Sequence, residues 1–211
     1  MIKIVNQITS SAIRLILETC GALEVLDTAH SPIDLSDAVA SPWASSKMTR
    51  LCLSVSATLP SSPLPSDIQY VPSYLKTPPV PLTEDEGHIF TQLEVFYRQI
   101  GKQTNMQYLR LHRPVVYRPG EIQRIGEMAL FPGLLSLKDD VAGRPGYLDL
   151  LKGLSQLREI GGDVATGTLH YQMAENAPEV DWILENWPCL SLHECGIFPR
   201  SRVPHRVRIE W

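Results

Sequence analysis

Cys189, His193 and Cys195 stand close together, and His205 follows ten residues beyond Cys195. Thiolate and imidazole are zinc ligands, but zinc sites take them at recognisable paired spacings. This spacing matches none of them, and strand alternation brings the three to one face only by a tight fit. They are read as ordinary strand residues, and no metal is expected. Cys52 or Ser54 with His112 would make a nucleophile and base for a small hydrolase. Nothing in the sequence supplies an orienting group or an oxyanion site, so no catalytic residue is expected. Gly161-Gly162 with Gly167 lacks the dinucleotide spacing, and no cofactor is expected.

The elements that would carry these residues are marked by a recurring apolar phrase. It reads Leu23-x-x-Leu26, Met48-x-x-Leu51-x-Leu53, Met106-x-x-Leu109-x-Leu111, Leu134-x-x-Leu137, Leu157-x-x-Ile160 and Trp187-x-x-Leu190-x-Leu192. Each copy follows, or closes, a stretch that can be helical. A unit of this kind cannot bury its own apolar edge, so neighbours must stack. The expected fold is α/β: an irregular leucine-rich-repeat solenoid, a curved parallel sheet with helices on its convex side. The asparagine or cysteine that usually closes each turn is missing, since three residues after Leu53 stands Ser56 and three after Leu111 stands Pro114.

Between the phrases the sequence places a strand at 2–5 and an amphipathic helix from Ile8, with Ile8, Ala12, Leu15, Ile16 and Thr19 on one face. Pro32 and Pro42 bracket a loop holding Asp34 and Asp37. A strand follows at 51–56. Seven prolines between 58 and 83 mark a Pro/Ser-rich insertion in one domain spanning 1–211. A helix starts after Thr83, buries Ile89, Phe90, Leu93, Phe96, Tyr97 and Ile100, and stops at Gly101. The strand Met106–Leu111 is next. A helix over 121–130 leads to a strand near 135–138, and a short helix over 147–154 leads to Leu157–Ile160. Gly161–Gly167 reads as a turn. The last helix runs from Pro178 to Trp187, with Val180, Ile183, Leu184 and Trp187 on one side. A final strand covers 190–197.

Composition narrows the function. The 211 residues are 44% hydrophobic and 20% charged, with a net charge of −4. That balance gives no global attraction to nucleic acid or an anionic membrane. The basic residues Arg98, Lys102, Arg110, Arg113, Arg118 and Arg124, and the tail arginines from Arg200, are read as a solvated rim or a contact for an acidic protein. No segment has the length of a membrane span or a signal-peptide core. Four scattered cysteines suit reduced thiols in the cytoplasm or nucleus. Pro78–Pro81 as a polyproline ligand, and phosphorylation at Ser62 or Thr77, are matches common by chance. Trp182 and Trp187 are read as a cap on the last repeat.

Strand alternation locates the binding surface. With Leu51 and Leu53 pointing inward, Arg50 and Cys52 point out. Tyr108, Arg110 and His112 project beside them. Asp27, Lys138, Glu159 and Asp163 follow on other strands. A protein target is expected on this mixed-charge stripe.

Three passages resemble the F-box/leucine-rich-repeat proteins of early-diverging filamentous fungi. One is Cys20-Gly-Ala-Leu-Glu-Val-Leu26 with Pro42-Trp43 and Met48-Thr-Arg-Leu51. The second is Ile89-Phe90-x-Gln92-Leu93 with Thr104-Asn-Met-Gln-Tyr-Leu109-Arg-Leu111. The third is Leu151-x-Gly153-Leu-x-x-Leu157-Arg-Glu-Ile160, then Glu179-Val-Asp-Trp182-Ile and Asn186-Trp187-Pro188-x-Leu190. The resemblance implies the substrate-recognition region of a cullin-RING ubiquitin ligase receptor. A Skp1-type adaptor is then a partner only if an F-box lies elsewhere, because this chain opens directly in repeat-like sequence. An adaptor-independent scaffold of the same fold is the alternative.

Overall fold

The computed structural model describes residues 2–3, 8–56, 84–112, 137, 145–162 and 178–190. Five strands form one parallel sheet in sequence order: β1 (Ile2–Lys3), β2 (Val25–Asp34), β3 (Arg50–Ser56), β4 (Tyr108–His112) and β5 (Glu159–Gly162). Parallel neighbours need crossover connections. Those among the described residues carry α1 (Ser10–Thr19), α2 (Leu35–Val39), α3 (Glu84–Gly101) and a 3-10 turn (Leu148–Leu151); α4 (Pro178–Asn186) follows β5. The architecture is α/β.

Register makes the apolar phrase visible in space. Leu26, Leu51, Leu109 and Ile160 are direct cross-strand partners, with Ile2 beside Leu26. All four from Leu26 to Ile160 are buried, as are Leu23, Met48, Met106 and Leu157 three positions earlier. Each unit also enters its strand the same way. The Glu24 carbonyl accepts from the amides of Thr49 and Arg50, that of Thr49 from Gln107 and Tyr108, and that of Gln107 from Arg158 and Glu159. A turn precedes three of the four entries from β2 to β5: Leu23 N–H donates to Cys20 O before β2, Met106 N–H to Gln103 O before β4 and Leu157 N–H to Leu154 O before β5. Leu190 N–H donates to Trp187 O in the same manner. Leu190 therefore corresponds to Leu23 and Leu157, not to Leu26 as the sequence phrase suggested.

The helices cover one sheet face and join its core. Thr9 caps α1 by accepting from Ala12 N–H. The buried seam of α1 is Ile13 and Leu17, whereas Leu15 is 59% exposed. The expected face Ile8–Ala12–Leu15–Ile16–Thr19 is thus rotated from the true one. Both seams have helical spacing, and only contact with β2 and α2 selects between them. In α3 all six expected apolar residues are buried. Along α4, Ile183 and Trp187 are buried and Leu184 is exposed, contrary to expectation.

Three other expectations give way. Asp34 and Asp37 do not lie in a loop: β2 runs to Asp34 and α2 begins at Leu35. Pro32 is tolerated because the β2–β3 register shifts between Thr28 and Pro32, where ladder bonds are interrupted. Asp37 then ties α2 to α1, accepting from Ser10 Oγ at 2.5 Å and Arg14 Nη1 at 3.2 Å. The helix expected at 147–154 is only the 3-10 turn, bounded by Gly153 and pressed against α3. β4 pairs directly with β5, which leaves no place between them for a strand at 135–138. Leu137 instead lies in a bend, half-buried against the core, with its N–H donating to Glu179. The insertion at 58–83, the helix at 121–130 and the strand at 190–197 lie outside the described residues, apart from Leu190.

Candidate protein-binding face

The sheet face opposite the helices is built from the residues that alternate with the core leucines. One row runs Val25, Arg50, Tyr108, Glu159 across β2 to β5, and the next runs Asp27, Cys52, Arg110, Gly161. Ser54 stands beside His112 at the far end of β3 and β4. Seven of the nine residues expected on the stripe are therefore brought together: Asp27, Arg50, Cys52, Tyr108, Arg110, His112 and Glu159. Lys138 and Asp163 lie outside the described residues. So do Arg113, Arg118 and Arg124. Arg98 pairs with Glu94 on α3 while Arg110 lies on the sheet, so these two basic residues do not share a surface.

Among the described residues of this face, Arg110 and Glu159 form an ion pair, whereas Asp27 and Arg50 have no ion-pair partner. Arg110 donates to Glu159 Oε1 through Nε at 2.6 Å and also through Nη2. Gly161 lies beneath the Arg110 side chain of this pair. A Cβ at that position would sit 3.3 Å from Arg110 Cγ and 3.4 Å from its Nε. Sequence reasoning assigned Gly161 to a turn and missed it. The signal was available: Gly161 occupies the place in its phrase that Cys52 and Arg110 occupy in theirs. The Arg50 guanidinium is exposed and has no ion-pair partner among the described residues; it lies 5.8 Å from the centre of the Tyr108 ring.

Cys52 is 5% exposed. Burial, then the neighbouring Asp27 carboxylate and its hydrogen bond, push the thiol up to about 11, against the opposing pull of Arg110 and Arg50. The thiolate is the reactive form of cysteine. A thiol held protonated is a poor nucleophile, and His112 stands opposite Ser54 rather than Cys52. We expect iodoacetamide at pH 8 to label exposed Cys189 rapidly. Native Cys52 should react at least about a hundredfold more slowly, from the lost thiolate fraction alone. Equal labelling rates in the folded protein would contradict this environment. The same shift links stability to pH. Above pH 9 the unfolded thiol loses a proton that the folded one keeps. Its stabilising contribution is complete below pH 9 and is lost as pH rises through about 11.

Among the described residues, no three His, Cys, Asp or Glu side chains converge as a metal site. Of the group Cys189, His193, Cys195 and His205, only Cys189 is described. No described helix is long and apolar enough to cross a membrane. The chain matches no protein-family model, no curated protein and no solved structure.

Proposed function

We propose that this chain is a non-catalytic protein-binding module of irregular leucine-rich-repeat type, working in the cytoplasm or nucleus. The observation that carries this reading is the repeated unit. The same strand entry and shared-carbonyl bridge recur from unit to unit in sequence order, with the same turn before β2, β4 and β5. Stacking of that kind yields an extended surface in place of a closed pocket. It also presents Arg50, Tyr108, Arg110 and Glu159 side by side, and arginine and tyrosine are enriched among the residues that dominate interfaces. The buried, protonated Cys52 weighs against the hydrolase alternative.

Within this reading, the target-recognition region of an F-box-type ubiquitin ligase receptor is the role suggested by the resemblance in the sequence. A photo-crosslinking side chain placed at Tyr108 should capture a discrete protein. The same group at Val95, 40% exposed on α3, should not. Identical capture from both positions would rule out the sheet face as the binding surface. Retention of a Skp1-type adaptor by the immobilised intact chain would support the ligase role. Target capture without adaptor binding would favour the adaptor-independent scaffold.

A further inference from the structure

The charges on the open face follow an order. Asp27 is on β2, Arg50 and Arg110 are on β3 and β4, and Glu159 is on β5. Acids thus flank two central arginines. Arg50 is the least satisfied of these groups, having only the Tyr108 ring beside it, whereas Asp27 accepts from the Ala29 amide and Glu159 from Arg110. A guanidinium presented this way is suited to a partner carboxylate.

Spacing then selects the shape of the partner. Strands lie about 4.8 Å apart, so the distance from β2 to β5 is about 14 Å. An extended chain rises about 3.3 Å per residue and repeats its side-chain direction every second residue. Residues i, i+2 and i+4 of such a chain therefore span about 13 Å. Asp27 lies one row, about 7 Å along the strands, from Glu159. The chain thus crosses obliquely, and long basic side chains cover the remaining roughly 3 Å. We propose that this face takes an extended peptide segment lying across the strands, with a basic residue, an acidic residue and a basic residue at alternate positions. The acidic residue docks on Arg50 beside Tyr108, and the two basic residues meet Asp27 and Glu159.

This proposal rests on reading the open face as the binding surface. Two isomeric peptides test it with the full chain at low ionic strength. One contains Lys-Ser-Glu-Ser-Lys and the other Lys-Ser-Lys-Ser-Glu, so composition and net charge are equal. The first should bind at least roughly fivefold more tightly, the scale expected from a few exposed ion pairs. Arg50→Glu should abolish that preference, and Arg98→Glu on α3 should leave it unchanged. Equal affinity for the isomers, no binding of either, or a preference that survives Arg50→Glu would each overturn the proposal. Crosslinked capture from Tyr108 alongside equal isomer binding would discard the charge pattern while the binding face stands.

Discussion

Gly101→Ala is expected to destabilise the protein by about 2–4 kcal/mol, at or beyond the upper end of ordinary overpacking costs. Gly101 is the last residue of α3, and a Cβ there would overlap the Leu150 carbonyl oxygen of the 3-10 turn. The approach is mutual, because a Cβ on Gly153 would overlap the Gly101 carbonyl oxygen. Both obstacles are backbone atoms, so no side-chain rotation relieves them. Opening the contact would disturb Ile100 and Leu151, both 0% exposed, and the Tyr97–Tyr147 stack at 5.0 Å. Helix propensity alone predicts the opposite sign, since alanine is favoured over glycine in a helix by about 1 kcal/mol. Urea unfolding of Gly101→Ala therefore separates the two effects by sign. A neutral or stabilised variant would mean that α3 and the 3-10 turn do not meet this closely.

Trp187→Ala should cost about 3–5 kcal/mol, as expected for a fully buried tryptophan. Trp187 is 2% exposed, stands edge-on to Trp182 at 5.4 Å and donates its indole N–H to the Leu151 carbonyl at 3.2 Å. It joins α4 to the preceding unit through a polar bond and a large apolar contact. Trp187→Phe keeps most of the apolar body and removes one of two bonds to the Leu151 carbonyl, which still accepts from Leu154 N–H, for a loss of about 0.5–1.5 kcal/mol. Hydrogen exchange should show the Trp187→Ala loss spreading from α4 into the 3-10 turn. Unchanged protection in the turn would show that the last unit is not coupled to its neighbour. The expected role of the tryptophans as an apolar seal thus becomes measurable.

Much of the repeat was legible in the residues. Leu26, Leu51, Leu109 and Ile160 were marked in the sequence and are register partners in the sheet. The apolar seam of α3 was legible because its period matches one helix face over many turns. The phrase failed at Leu134–Leu137 and Trp187–Leu190. Two apolar residues three apart fit a turn as well as a strand entry, and only the hydrogen bonds at Leu190 distinguish them. In α1 the sequence allowed two seams, and the neighbours chose the one through Ile13 and Leu17.

The open sheet face divides in the same way. Strand alternation, a property of the local backbone, was enough to place Asp27, Arg50, Cys52, Tyr108, Arg110, His112 and Glu159 opposite the core. Which of them pair was decided by register between strands far apart in sequence. Arg110 reaches Glu159 across Gly161, and Cys52 is kept protonated by burial first and by Asp27 second. Local periodicity can be read along one chain segment, because it depends on residues a few positions apart. Side-chain pairing, burial and the close approach at Gly101 depend on distances set only when separate segments pack.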